Sequence, residues 1–315
     1  MTAFVEPPRL SQRVLARVLR TSMIMFFRGL IRPAMPIAGQ RLVLRVLTKS
    51  TITPRGVRLE SGVLAGCACE WQRPEEGNER VMLYFHGGGY LIGSPATHRA
   101  MTGHLAKRGK MAVCALDYRL APEHPFPAGL DDAVAAYQAL LEQGYSGEQI
   151  MLGGDSAGGN LALGLVLRIK RAGLPMPAAL VCFSPLTDAS LSQLHQPPAG
   201  DPLLSLAWIT QAGSLFCPPG IDRRDPFLSP VYADLTGLPP MLIQVGEDEV
   251  LLNDSLRLAE RATAAGVDVH LQRYPGCWHV FQAHAGLLDI ANVAMARVAS
   301  FIQTHFAAVA ERKGL

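Results

Sequence analysis

Apolar and polar positions change period several times along the chain. Over residues 9–31 the apolar side chains Leu10, Val14, Val18, Ile24 and Phe27 fall roughly at helical spacing, so the chain opens on a helix. Pro33, Pro36 and Gly39 end it. Residues 57–69 alternate in strand fashion, and residues 81–85 form a short apolar run that stops at glycines. From there the periods alternate regularly. Helix is predicted over 97–108, strand over 111–115, helix over 129–143, strand over 150–152, helix over 158–172 and strand over 179–183. Strand over 241–245, helix over 253–265, strand over 268–273 and helix over 287–307 complete the series. Such alternation predicts an α/β fold, a mostly parallel sheet with helices on both faces. Residues 187–227, rich in Pro, Ser and Gln, break the rhythm and read as an insertion between strands. With the N-terminal helix they are expected to form a lid over the carboxyl edge of the sheet, where ligands bind in such folds.

Composition narrows the picture. A chain of 315 residues suffices for one large core with a smaller appended piece. With 49% apolar and 17% charged residues it reads as globular. No apolar run approaches the ~18–20 residues of a membrane span, and Arg28 interrupts the nearest candidate at 23–27. Glu6 and Pro7-Pro8 occupy the place of a signal peptide's basic region. Six cysteines in a chain this long make no disulfide scaffold. Cys67 and Cys69 would share one strand face, but no second Cys or His pair accompanies them, so no metal site is expected. Reduced thiols and a cytoplasmic address are the expectation. The net charge of +3 is uneven: residues 1–58 carry eleven Arg and Lys against Glu6 alone. That pattern fits a solvated amphipathic helix or peripheral contact with an anionic lipid surface. No nucleic-acid-binding motif goes with it.

Chemistry concentrates in four places. Strand 150–152 runs into Gly154-Asp155-Ser156-Ala157-Gly158, and a helix follows. This strand–turn–helix context is what the nucleophile elbow requires, with Ser156 as attacking residue. A dinucleotide cradle is excluded because the G-x-G-x-x-G spacing is absent. A serine needs a base, and the base an orienting acid. His279 lies in a loop after the last strand and before the final helix. His98, His104 and His124 precede the serine, His195 lies in the insertion, and His284 and His305 fall in or near the last helices. The acid belongs after strand 241–245, where Glu247, Asp248 and Glu249 are available and residue type alone favours Asp248. His86-Gly87-Gly88-Gly89 directly follows strand 81–85, and consecutive glycines let backbone N–H groups reach a substrate oxyanion. Gly88, Gly89 and Ala157 are the expected donors; His86 reads as a structural hydrogen-bonder.

Taken together, His86–Gly89, Asp117-Tyr-Arg-Leu-Ala-Pro-Glu123 with His124–Ala128, Gly154–Asn160 and His279-Val-Phe281 resemble the hormone-sensitive-lipase-like (bacterial family IV) esterases, in that family's order over residues 80–281. The resemblance implies the eight-stranded α/β-hydrolase sheet and no cofactor. It also implies a helical cap from residues 1–50 and about 187–227 on a catalytic domain of 51–315. The activity it implies is hydrolysis of short- to medium-chain acyl esters through a Ser-His-acid triad, often by a homodimer. The family's acid stands three residues after the small residue that ends its strand; counted from Gly246 this is Glu249, thirty positions before His279. Glu249 is therefore favoured, with Asp248 as the alternative. The same machinery also serves amides, lactones and carbamates. A non-catalytic receptor, like the plant gibberellin receptors that resemble this family, would lack the histidine that His279 supplies.

Overall fold

The computed structural model describes residues 2–3 and 9–312. The sheet strands are β1 (Thr2–Ala3), β2 (Val57–Leu64), β3 (Cys67–Pro74), β4 (Val81–Phe85), β5 (Ala112–Leu116), β6 (Ile150–Asp155), β7 (Ala179–Phe183), β8 (Met241–Gly246) and β9 (Val269–Tyr274). Their order is β1-β9-β8-β7-β6-β4-β5-β3-β2. Strands β4 to β9 run parallel, and β3 pairs antiparallel with both β5 and β2. The eight expected strands are thus β2 to β9, and the two-residue β1 extends the sheet beside β9.

Strands β4, β5 and β7 are apolar throughout because both faces are covered. Alternation divides them. Val81, Leu83 and Phe85 of β4 face α4 (Ala128–Glu142) and α5 (Ala157–Ala172), where Leu130, Tyr137, Leu161 and Leu165 pack. Met82 and Tyr84 face α3 (Pro95–Gly109) and α8 (Asp289–Arg312), against Met101, Leu105, Met295 and Ile302. Helix α7 (Leu252–Ala264) completes the first layer through Leu258 and Ala262.

Three expectations change. The single strand over 57–69 is a hairpin of β2 and β3, turned at Ala65 and Gly66, both at positive φ (50° and 81°). The stretch of Pro33, Pro36 and Gly39 is only a short break: α2 (Ile37–Leu47) begins directly after Pro36. The N-terminal helix is present as α1 (Leu10–Ser22), continued through a π-helical turn (Met23–Arg28), but it faces the other way. Leu15, Leu19 and Met23 pack on Tyr274, Trp278 and Phe281, whereas Leu10, Val14, Val18 and Ile24 are exposed. Inside the 187–227 stretch lies α6 (Leu206–Phe216), which is joined to α2 by Trp208 Nε1 donating to the fully buried Gln40 Oε1 at 2.7 Å. Among the described residues no helix is long and apolar enough to cross a membrane.

Candidate active site

The turn between β6 and α5 is forced by contacts that only glycine permits. A Cβ on Gly158 would stand 2.0 Å from Phe85 O, and one on Gly154 2.3 Å from Gly158 O. Strand β4 and the first turn of α5 can therefore close around the residue between them. That residue, Ser156, has φ 54° and ψ −119°, a left-handed conformation that a serine adopts at some cost in strain. Its N–H donates to Phe183 O at 2.9 Å, which ties the turn to β7.

Beyond β8, the chain presents Asp248 and Glu249 in opposite directions. Glu249 is wholly buried. Its Oε2 accepts from Ser184 Oγ at 2.7 Å and Gly246 N at 2.9 Å, and its Oε1 meets His279 Nδ1 at 3.1 Å. Asp248 is turned toward α1, where Arg20 pairs with it at 3.3 Å. The carboxylate fixes the His279 proton on Nδ1, an assignment that follows from the partner, and leaves Nε2 as an acceptor. Burial pulls the imidazole down, but the Glu249 bond and charge, aided by Asp201 and Asp155, hold it above its ordinary value. Ser156 and His279 line one cavity. No hydrogen bond joins their side chains among the described residues; such contacts commonly tighten only around substrate.

The glycine loop after β4 is braced from below. Asp155 Oδ1 accepts from Gly87 N at 3.1 Å and Tyr84 Oη at 2.7 Å, and its Oδ2 lies 3.4 Å from His98 Nε2. Burial opposes the charges on both partners; nevertheless, the pairing lowers Asp155 and raises His98. Burial, with the His98 charge beside it, pushes His86 down to about 3, so His86 is a neutral ring stacked on Tyr118 that donates from Nδ1 to Gly87 O at 2.8 Å. Gly88 stands at φ 118°, and among the described residues no protein acceptor takes the N–H of Gly88, Gly89 or Ala157. Three free donors beside Ser156 can receive an oxyanion.

The sequence profile of the α/β-hydrolase fold matches residues 82–283, the span that carries all these groups. The chain belongs to this family. A Streptomyces hygroscopicus protein named acetyl-hydrolase is 41% identical over 240 residues, covering 76% of this chain and 80% of its own. An esterase of Acinetobacter venetianus RAG-1 is 40% identical over 240 residues, covering 76% and 79%. A crystal structure of a hormone-sensitive lipase from a metagenome library superposes with a TM-score of 0.87 at 40% identity, covering 94% of this chain and 98% of that one. The likeness to hormone-sensitive-lipase-like enzymes thus extends well beyond the four motifs.

Two cavities of this hydrolase meet at Ser156, and Gly89, Leu204 and Trp208 line both. One, of about 360 Å³, is lined by His279, Gly88, Met101 and, from the N-terminal helical segments, Met23, Phe26 and Leu44. The other is small, about 40 Å³, and closed by Ile209, Phe216, Leu186 and Leu251. His279 lines only the larger. Sequence reasoning missed the supports. Ser184 also accepts from Val280 N at 3.2 Å and so links the acid and histidine loops. Asp201, from the insertion, accepts from Val250 N at 3.1 Å. The supporting contacts span 49 or more residues, so the local turn that Asp201 makes with Leu203 N and Leu204 N does not announce its link to Val250. Among the described residues no group of three or more His, Cys, Asp or Glu side chains could hold a metal.

Proposed function

We propose that this carboxylic ester hydrolase works by acyl transfer through Ser156, with His279 as base and Glu249 as its orienting acid. His279 Nε2 takes the Ser156 proton as Oγ bonds to the ester carbonyl carbon. The carbonyl π electrons move to oxygen, which Gly88, Gly89 and Ala157 N–H groups hold. The C–O bond to the alcohol breaks, and His279 returns the proton to the leaving oxygen. Water then repeats the cycle on the acyl-enzyme, releasing acid and free Ser156. The observation that carries this reading is the fully buried Glu249–His279 contact of 3.1 Å, on the wall of the cavity that Ser156 shares.

The same geometry favours short acyl groups. The leaving alcohol must sit where His279 can protonate it, on the side of the large cavity, so the acyl group enters the small one. A space of about 40 Å³ admits roughly three water-sized groups. On p-nitrophenyl esters, kcat/KM is expected to stay high from acetate to butyrate and to fall about tenfold or more by octanoate. Ile209→Ala, which opens the small cavity alone, should restore the longer chains. A specificity constant that climbs steadily to decanoate in the native enzyme would reverse the two pockets.

The raised His279 also sets a pH dependence. Only the neutral imidazole accepts the serine proton, so kcat/KM rises with pH through a midpoint above the ordinary imidazole value of 6.5. A pH–rate profile whose acid limb lies below that value contradicts the Glu249 pairing.

A further inference from the structure

Among the described residues, ten of the thirteen exposed large apolar side chains fall between Leu10 and Ile52. On α1 they form a second stripe, opposite the one that packs on Trp278: Leu10 is 77% exposed, Val14 52% and Val18 54%. The stripe runs on into the π-helical turn at Met25 (61%) and Phe26 (52%), and α2 adds Leu42 and Val46. Residues 9–55 carry ten Arg and Lys and no carboxylate at all. Arg20 and Arg41 are engaged with Asp248 and Glu123. Arg17, Arg45 and Lys49 are exposed, and among the described residues none of them forms a salt bridge, although the Arg45 charge reaches Asp117. The large cavity opens on this face. Its lining passes from Ser156 between Met23 and Leu44 to Phe26 and Ser50, both exposed.

We infer that the outer face of α1, the π-helical turn and α2 docks on an anionic phospholipid bilayer. Apolar side chains flanked by exposed cations, on helices too polar to span, match the pattern of an interfacial helix that lies in the headgroup boundary. Acidic lipid complements the cations. A second copy of this face would set Arg17, Arg45 and Lys49 against the same cations, so like charges oppose its pairing with itself. A lone solvated helix accounts for the arginines but leaves the apolar stripe without a partner. Docked this way, the mouth at Phe26 meets the lipid, and an apolar ester reaches Ser156 without crossing water.

The contact is tested without reference to catalysis, by cosedimentation of the full chain with phosphatidylcholine vesicles with and without one-third phosphatidylglycerol. Binding is expected to the anionic vesicles only and to weaken in high salt. Val14→Ser with Val18→Ser, and separately Arg17→Gln with Lys49→Gln, should each lower vesicle binding about tenfold or more. All four positions are exposed and outside the cavities, so the unfolding midpoints of both variants should match the native chain. Equal binding to neutral and anionic vesicles, or binding that neither pair of substitutions weakens, overturns the inference. So does a dimer in solution that the serine pair dissociates while vesicles are not bound.

Discussion

Ser156→Ala is expected to lower kcat on p-nitrophenyl acetate by about a million-fold, the loss typical when the nucleophile of the proposed kind of triad is removed. The size of the effect follows from what remains. Without Oγ there is no acyl-enzyme, and His279 has no proton to move. The N–H donors of Gly88, Gly89 and Ala157 are still in place, so about a thousandfold or more of acceleration over water persists. The fold should not change. Ser156 Oγ makes no hydrogen bond among the described residues, and alanine occupies the φ 54° turn with the same strain as serine. An unfolding midpoint equal to that of the native chain therefore accompanies the loss. A fluorophosphonate should label the native protein and not the variant. Activity within tenfold of native, or undiminished labelling on another serine, would remove Ser156 from its role.

Much of this arrangement was legible because its parts are local. An apolar run that stops at glycines marks the end of a buried strand, and β4, β6 and β8 each place such a stop at the carboxyl edge of the sheet. Where the sequence misled, the deciding contact lay elsewhere. Leu10, Val14 and Val18 have helical spacing, and so do Leu15, Leu19 and Met23; only the Trp278 cluster, more than 250 residues away, selects which stripe is covered. Helix α2 was hidden by Pro36 and Gly39, yet a proline just before a helix costs no hydrogen bond, and Gly39 is tolerated within α2. The hairpin at Ala65-Gly66 lacks the Asn-Gly or Asp-Gly pair that usually announces such a turn. Composition could likewise rank Asp248 above Glu249, but only position relative to β8 distinguishes a carboxylate turned inward from one turned to α1.

That distinction has a large expected consequence. Glu249→Gln is expected to lower kcat by about ten-thousandfold, comparable to loss of the orienting acid in serine hydrolases. The amide keeps the shape of the carboxylate, and its oxygen can still accept from Ser184 Oγ and Gly246 N. Its NH₂ must then face His279 Nδ1, which forces the ring proton onto Nε2. In that tautomer Nε2 cannot accept the Ser156 proton. The same substitution removes the strongest of the influences that raise His279 and leaves burial, which lowers it, so the acid limb of the residual rate should move to lower pH. Asp248→Asn, in contrast, weakens an ion pair with Arg20 whose side chains are 19% and 25% exposed. Such a partly exposed pair is worth about 1 kcal/mol at most, and the rate should change by no more than roughly fivefold. Both variants should bind a fluorophosphonate-sized inhibitor in the cavity, but only Asp248→Asn should react with it at a near-native rate. Small and equal losses in the two would mean that neither carboxylate orients the base; a large loss confined to Asp248→Asn would transfer the role to the residue that Arg20 holds.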